Sequence, residues 1–356
     1  MTFRFFKVAQ QPDSEILDIL SNNIIGTPGF GMLYQHMGVR NKLFKIPNPF
    51  FIRLNKGNKT LGVCCFCSRT SINNGQSYHA FYIRYFSFLN TYRKNQLTER
   101  ITRGNSILRK EIELILAGHG LSKNTGDKFF HYAYVDPRNM RSVRLCTEFG
   151  MEPVREYTTV IFHRMNPKAN PAVVQISPGQ ESVVREILRN FYKSFTMFSF
   201  ENLFNGRDYY VIKNENDKIV AGVSVNPEHW KIHSMPGLLG NILINTLSRL
   251  PYLRRVLDKN YQFLTLEGIY YSPGYESCLE TLFETLLARY NRHSAIVCVD
   301  PDSHLYQTLS SLKLGIVAKL NKEVRGHVIC RFINFSEKEK QIFRSQPAYI
   351  SGIDVT

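Results

Sequence analysis

The sequence predicts an α/β fold in which one type of domain occurs twice. The repeated unit is an apolar strand that ends in Val-Asp-Pro, followed by a helix and a glycine. It covers Tyr132 to Met151 and returns at Ala295 to Ile316, about 165 residues later. Pro12 and Pro178 support the same offset, because each follows a short strand-like run and precedes a helical pattern. We therefore expect two copies of one domain.

The predicted boundary lies near residue 168, in the linker Asn-Pro-Lys-Ala-Asn-Pro. The first copy is then residues 1–168 and the second copy residues 169–356, with an insertion at 234–257 that the first copy lacks. These two names are kept below.

The residues around the helix of the repeated unit are typical helix start and stop signals. Asp136 is the expected helix N-cap, and Pro137 suits the first helical turn because its missing amide would be unpaired there. Gly150 and Gly315 are the expected left-handed exits of the two helices.

Hydrophobic periodicity predicts the other elements in the same order in both copies. In the first copy these are a strand at 3–9, a helix at 14–20, a hairpin of strands 50–54 and 61–67, an aromatic strand at 78–90, a helix at 106–116 and a closing strand at 157–163. In the second copy they are a strand at 172–176, a capping box at 177–180 with its helix, a hairpin of strands 209–213 and 219–225, a strand at 263–270, a helix at 279–290 and a closing strand at 324–332.

The net charge of +16 is concentrated in the first copy. Residues 1–170 contain 24 Lys and Arg against 11 Asp and Glu. Such a field favours a polyanionic partner, namely a phosphorylated cofactor, an acidic carrier protein or nucleic acid. The alternative is a solvated basic surface without a partner.

The seven cysteines are odd in number and stand mostly in apolar, strand-like runs. This pattern favours reduced thiols and a cytoplasmic protein. The CxxC spacing at Cys64 and Cys67 has no second pair, so packing is favoured over a metal site, and no metal is expected. No apolar run reaches the roughly 18 residues that a membrane span needs, and the first residues lack a signal-peptide profile.

The order of elements resembles the GNAT (Gcn5-related N-acetyltransferase) superfamily. The motif lies in Asp136 to Cys146 with Gly150-Met151, which resembles that family's Asn, a small residue three positions on, Leu-Tyr and a terminal Gly-Phe. The architecture matches in both copies, whereas the motif matches only in the first. The resemblance implies two tandem GNAT-like domains, each with a mixed, mostly antiparallel sheet flanked by helices.

The resemblance also implies a site for acetyl-CoA or a longer acyl-CoA. In the family the pantetheine arm lies where the fourth and fifth strands diverge, and the pyrophosphate lies on the amides that open the next helix. The matching stretch is 100–106, where Gly104 and Ser106 fit the family's pattern and Ile101 does not. The candidate cofactor-binding residues are Phe88, Leu89, Asn90, Arg100, Arg103, Gly104, Asn105, Ser106, Asn139 and Ser142.

Two residues are candidates for catalysis by the same resemblance. Cys146 stands where the family commonly has the tyrosine that protonates the leaving thiolate, although core packing is the favoured role for this cysteine. Glu267 stands on the fourth strand of the second copy, where relatives hold a general base, and a structural ion pair is the alternative. The loop after Glu267 lacks basic residues, so we expect the first copy to bind the cofactor and the second to complete the acceptor pocket.

The insertion is strongly apolar from Gly237 to Leu250. It fits a helical lid, a wall for a long acyl chain, or a peripheral membrane contact with arginines at the headgroups. The loops 27–45 and 194–205 are the expected walls of the acceptor pocket.

The function predicted from these observations is N-acyl transfer from acyl-coenzyme A to an amine. A second possibility is acyl transfer from an acidic acyl carrier protein. A third is a non-catalytic protein that kept the fold and binds nucleic acid, with the aromatic residues of 82–93 stacking on bases.

Overall fold

One mixed sheet of 13 strands runs through both copies. The structure is a computed structural model and describes residues 3–88, 106–121, 123, 126–204, 206–237, 240, 258–315 and 325–356. The strands are β1 (Phe6–Ala9), β2 (Leu33–His36), β3 (Pro49–Lys56), β4 (Lys59–Asn73), β5 (Gln76–Phe88), β6 (Phe129–Val135), β7 (Glu152–His163), β8 (Val173–Gln175), β9 (Tyr209–Lys213), β10 (Ile219–Ser234), β11 (Asn260–Tyr271), β12 (Ser294–Val299) and β13 (Arg325–Ile333).

Helices flank this sheet, and their starts follow the capping residues. The helices are α1 (Ser14–Ser21), α2 (Val39–Phe44), α3 (Ile107–Leu116), α4 (Met140–Glu148), α5 (Glu181–Phe191), α6 (Cys278–Arg289), α7 (His304–Ser311), α8 (Glu337–Ser345) and α9 (Gly352–Val355). Asp13 caps α1, and the predicted capping box of Ser177 and Gln180 is present one short 3-10 turn before α5. The predicted apolar stripe of α6 is buried against the sheet.

The closing strands of the two copies are exchanged. The strand order is β1-β3-β4-β5-β6-β13-β7-β12-β11-β10-β9-β8. The closing strand of the first copy, β7, therefore pairs with β12 of the second, and β13 pairs with β6 of the first. The sequence analysis gave each closing strand to its own copy, and this was wrong. Exchange joins two half-sheets and leaves no open edge between them. The domain division near residue 168 stays a prediction.

The helix of the repeated unit begins three residues later than predicted in both copies. Asp136 accepts a hydrogen bond from the amide of Arg138 (3.0 Å) instead of capping a helix, and Asp300 does the same for Asp302 (2.9 Å). These are Asx turns, which compete with helix capping for the same carboxylate. The caps are Asn139 for α4 and Ser303 for α7.

The two glycines after these helices differ in role. Gly150 has the left-handed φ of +67° directly after α4, as predicted. Gly315 does not end α7, which stops at Ser311. A Cβ at Gly315 would lie 2.4 Å from the carbonyl oxygen of His163, so this glycine permits close contact with the end of β7.

Strand β10 continues nine residues beyond its predicted end at residue 225. This extension of β10 pairs with β11 on one side and with β2 of the first copy on the other, where His36 lies opposite Trp230. This pairing carries residues 33–36 of the first copy across to the second. The insertion 234–257 lies outside the described residues except for 234–237 and 240.

The cysteines and helices of the structure concern the expected reduced thiols and the expected lack of a membrane span. All seven cysteines are unbridged. Among the helices of the described ranges, none combines the length and the apolar character needed to cross a membrane.

Candidate functional site

Both copies have a β-bulge at the point where two parallel strands diverge. In the first copy β5 pairs with β6 only from His79 to Tyr82, and the bulge residue Tyr85 has a φ of +57°. In the second copy β11 pairs with β12 only at residues 264 and 265, and the bulge residue Gly268 has a φ of +60°. A positive φ is ordinary for glycine and uncommon for tyrosine. A strained residue of this kind often marks a functional site.

The diverging strands of the first copy enclose a cavity of about 400 Å³. Its floor is the β5 bulge with β6, and its rim includes β2, the first turns of α4 and the segment of α9. One wall is wholly apolar and is formed by Ile52, Leu54, Cys64, Phe66, Ile112 and Leu116. Two other cavities, of about 650 and 580 Å³, lie away from the diverging strands.

The start of α4 brings three predicted residues to this cavity. Asn139, Ser142 and Cys146 all line it. Asn139 caps the helix by accepting from the amide of Ser142 (3.2 Å). Burial raises the pKa of Cys146 to about 11, so its thiol is protonated at neutral pH.

The other predicted cofactor residues are only partly described. Leu89, Asn90, Arg100, Arg103, Gly104 and Asn105 lie outside the described residues. Phe88 is the last residue of β5, and Ser106 is the N-cap of α3, where it accepts from the amide of Arg109 (3.1 Å). The assignment of these residues to the cofactor stays a prediction.

Three polar residues of the cavity wall were not singled out by the sequence analysis: His36, Arg84 and Asp354. The side chain of Asp354 is fully buried and accepts a hydrogen bond from each Nη atom of Arg69, one of them at 2.7 Å. Burial alone would raise the pKa of Asp354, but Arg69 and Arg84 hold it below its usual value. The carboxylate is therefore ionised and committed to its partners.

His36 lies on β2 at the mouth of the cavity and is only 7% exposed. Burial, with a smaller contribution from Lys42 and Arg84, lowers its pKa well below 6.5. The imidazole is therefore neutral near pH 7, and its Nδ1 has no hydrogen-bond partner within the described part of the chain. A neutral imidazole can accept a proton from a substrate.

The corresponding place in the second copy is filled by the protein's own side chains. A cavity of only about 10 Å³ remains between β11 and β12. Tyr349 occupies this place, and its hydroxyl accepts from the amide of the bulge residue Gly268 (3.2 Å). The same hydroxyl donates to Glu267 (3.0 Å). The segment that carries Tyr349 is fixed by Thr196, whose amide donates to Pro347 (2.9 Å).

Glu267 lies in this filled cleft and does not line the cavity of the first copy. Burial, and then the charge of Asp354, raises its pKa to about 7. Its second oxygen accepts from the amide of Ile353 (3.3 Å). The catalytic role of Glu267 stays a prediction, as does that of Cys146.

The residues considered for metal binding and for stacking on nucleic-acid bases are buried in strands. Cys64 and Cys67 are buried in β4, and within the described residues no three His, Cys, Asp or Glu side chains come together in a metal-binding group. Tyr82 is only 4% exposed, so its ring packs in the core and is not available to stack on a base.

Two of the solved structures similar to this one are a known and a probable acyltransferase. N-myristoyltransferase from Saccharomyces cerevisiae, crystallised with myristoyl-CoA, aligns over 93% of this chain and 83% of its own, with a TM-score of 0.57 and 10% identity. A probable N-acyltransferase from Enterococcus faecalis V583 aligns over 95% of this chain and 74% of its own, with a TM-score of 0.51 and 11% identity. The chain shares the fold of these two proteins. No protein-family model and no curated protein sequence matches the chain. At these identities the likeness concerns the fold alone, and the shared architecture spans both copies, as predicted.

Proposed function

We propose that the protein is an N-acyltransferase that moves an acyl group from acyl-coenzyme A to an amine, with the cofactor in the first copy. The observation that carries this proposal is the cavity of about 400 Å³ at the Tyr85 bulge, next to the start of α4. The GNAT fold supports it, and so does the yeast N-myristoyltransferase crystallised with myristoyl-CoA.

The proposed reaction uses residues of the cavity wall. The amine nitrogen attacks the thioester carbon, the C–N bond forms, and backbone amides at the bulge stabilise the oxyanion. The C–S bond then breaks and coenzyme A leaves as the thiol. We assign His36 as the acceptor of the amine proton and Cys146 as the donor to the thiolate, since both line the cavity and each has the protonation state that its role requires.

The apolar wall favours an acyl group longer than acetyl. Ile52, Leu54 and Phe66 offer an alkyl chain a surface without hydrogen-bonding groups, and each methylene buried there contributes about 0.8 kcal/mol. We therefore expect affinity to rise from acetyl- to octanoyl-CoA.

The test is turnover with acetyl-, octanoyl- and palmitoyl-CoA and a panel of primary amines, measured as release of free thiol. Gly104→Asp places a carboxylate in the stretch that resembles the family's pyrophosphate motif and should abolish turnover. Gly179→Asp is the matched control, because a Cβ there meets no atom within 4 Å. Lack of turnover with all three donors, in a folded wild-type protein, would contradict the proposal and favour an acyl carrier protein as donor.

A further inference from the structure

Arg84 is a buried cation in the wall of the cavity. Its side chain is 9% exposed and stands next to the bulge residue Tyr85, with the guanidinium 4.2 Å from the centre of that ring. Stacking on an aromatic face holds the guanidinium plane in place and leaves its edge free to donate hydrogen bonds.

The hydrogen bonds of Arg84 are incomplete. Its Nε is buried and has no partner among the residues that the structure describes, and its contact with Asp354, at 3.6 Å, is too long for a hydrogen bond. Arg69, which shares that carboxylate, donates through both Nη atoms to Asp354 and also to the hydroxyl of Tyr132 (3.0 Å). The side-chain amide of Asn202 also donates a hydrogen bond to the Asp354 carboxylate (3.0 Å). Among the described residues, Arg84 makes no comparable hydrogen bond.

The charges around Arg84 leave one positive charge uncompensated. Arg69 and Arg84 face one carboxylate, Asp354, and the neighbouring His36 is neutral. The next buried carboxylate, Glu228, is paired with Lys42, and the nearby Arg207 adds a further positive charge. A buried cation without a matched anion is costly. A carboxylate bound in the cavity would remove that cost and would satisfy the guanidinium with two parallel hydrogen bonds.

Arg84 faces the side of β5 opposite the predicted cofactor helices. Ile83 packs with Ile112 of α3 and Leu145 of α4 on one side. Tyr82 and Tyr85 of the same strand pack on the opposite side of β5, with Val355 of α9. Because strand side chains alternate, Arg84 shares the side of Tyr82 and His36. The anion that reaches it therefore comes with the acceptor and not with the phosphates of the cofactor.

We propose that Arg84 binds the carboxylate of the acceptor, so that the acceptor is an amino acid or another amine that carries a carboxylate. This rests on the proposed N-acyl transfer and names its acceptor class. The product is then an N-acyl amino acid, whose carboxylate lies against Arg84.

The first test measures binding without catalysis. Calorimetric titrations with N-octanoylglycine and N-octanoylglycinamide compare two product mimics that differ only in the carboxylate. The wild-type protein should bind the acid roughly 100-fold more tightly than the amide. In Arg84→Met the two affinities should agree within about threefold, whereas Arg84→Lys, which keeps the charge and loses the fork, should retain part of the preference. Arg53→Met, on β3 and outside the cavity wall, is the control. Equal affinities in the wild-type protein, or a preference that survives Arg84→Met, would overturn the proposal.

The second test separates this inference from the proposed function. Octanoyl-CoA turnover is measured with glycine and with glycinamide as acceptors. Glycine should have the higher kcat/KM by roughly 100-fold in the wild-type protein, and the difference should vanish in Arg84→Met. Equal turnover of both acceptors defeats the acceptor inference alone. No turnover and no octanoyl-CoA binding defeats the proposed function, and the mimic titrations then still decide whether Arg84 binds a carboxylate.

Discussion

The cleft of the first copy and the cleft of the second copy are built from the same parts. Each has an Asx turn after an apolar strand, a capped helix, and a positive-φ bulge where two parallel strands diverge. They differ in what lies between the strands, because the first holds a cavity of about 400 Å³ and the second holds Tyr349. The backbone of the cleft is thus alike in both copies, and the side chains decide whether space remains between the strands.

The largest effect should come from filling the open cleft. Cys146→Trp puts an indole into the cavity and should weaken octanoyl-CoA binding by more than about 100-fold, since the indole occupies the space that the acyl group needs. Ser310→Trp, at the equivalent exposed position of α7, should leave the affinity unchanged. Titration calorimetry on both variants makes the comparison. Loss of binding in Ser310→Trp instead would move the site to the second copy.

A smaller loss is expected from removing the proposed proton acceptor of the open cleft. His36→Gln should lower kcat by about 100-fold, which is the ordinary contribution of a general base, and should change KM for octanoyl-CoA little. His327→Gln, a partly exposed histidine on β13, is the control. A kcat within threefold of the wild type would remove His36 from the mechanism.

The filled cleft should respond to pH. The pKa of Glu267 is about 7 in the folded protein and near 4.5 when unperturbed, so its stabilising contribution is complete below pH 4.5 and is lost as the pH rises to 7. Glu267→Gln cannot ionise. Its free energy of unfolding relative to wild type should therefore rise by up to about 3 kcal/mol between pH 4.5 and 7 and then level off.

Urea unfolding at several pH values measures this trend, with the exposed Glu186→Gln as control. The same variant tests the catalytic role predicted from the sequence. Because Glu267 does not line the open cavity, we expect its kcat to stay within about threefold of wild type. A loss of about 100-fold would support Glu267 as the base instead.

The smallest effect should come from the hydroxyl that plugs the second cleft. Tyr349→Phe removes the acceptor of the Gly268 amide and the donor to Glu267, and should cost about 1–3 kcal/mol of unfolding free energy without changing octanoyl-CoA affinity. Tyr275→Phe, at an exposed tyrosine, should stay within about 0.5 kcal/mol. A tighter affinity or a second binding event in Tyr349→Phe would mean that the second cleft is a site held closed by one hydroxyl.

The sequence predicted the mixed α/β fold and singled out Asn139, Ser142 and Cys146, which share one cavity wall, because these depend on local periodicity and one motif. It misplaced the helix starts because an aspartate before Pro137 serves an Asx turn as readily as a cap. Asn139 and Ser303, both ordinary capping residues, were the available signal.

Exchange of the closing strands was beyond local reasoning, since the apolar pattern of β7 and β13 does not say which strand each will pair with. His36 and Asp354 reach the cavity through contacts between residues far apart in the chain. Arg84 could have been identified from the sequence, because it is the one Lys or Arg within the aromatic run of β5. A charged residue within a buried strand is a signal worth testing for function.

The most direct test of one open and one filled cleft is the stoichiometry of octanoyl-CoA binding to the wild-type protein, measured by titration calorimetry. We predict one site per chain, abolished by Cys146→Trp and kept in Ser310→Trp. Two equivalent sites per chain, or a single site that survives Cys146→Trp, would contradict it.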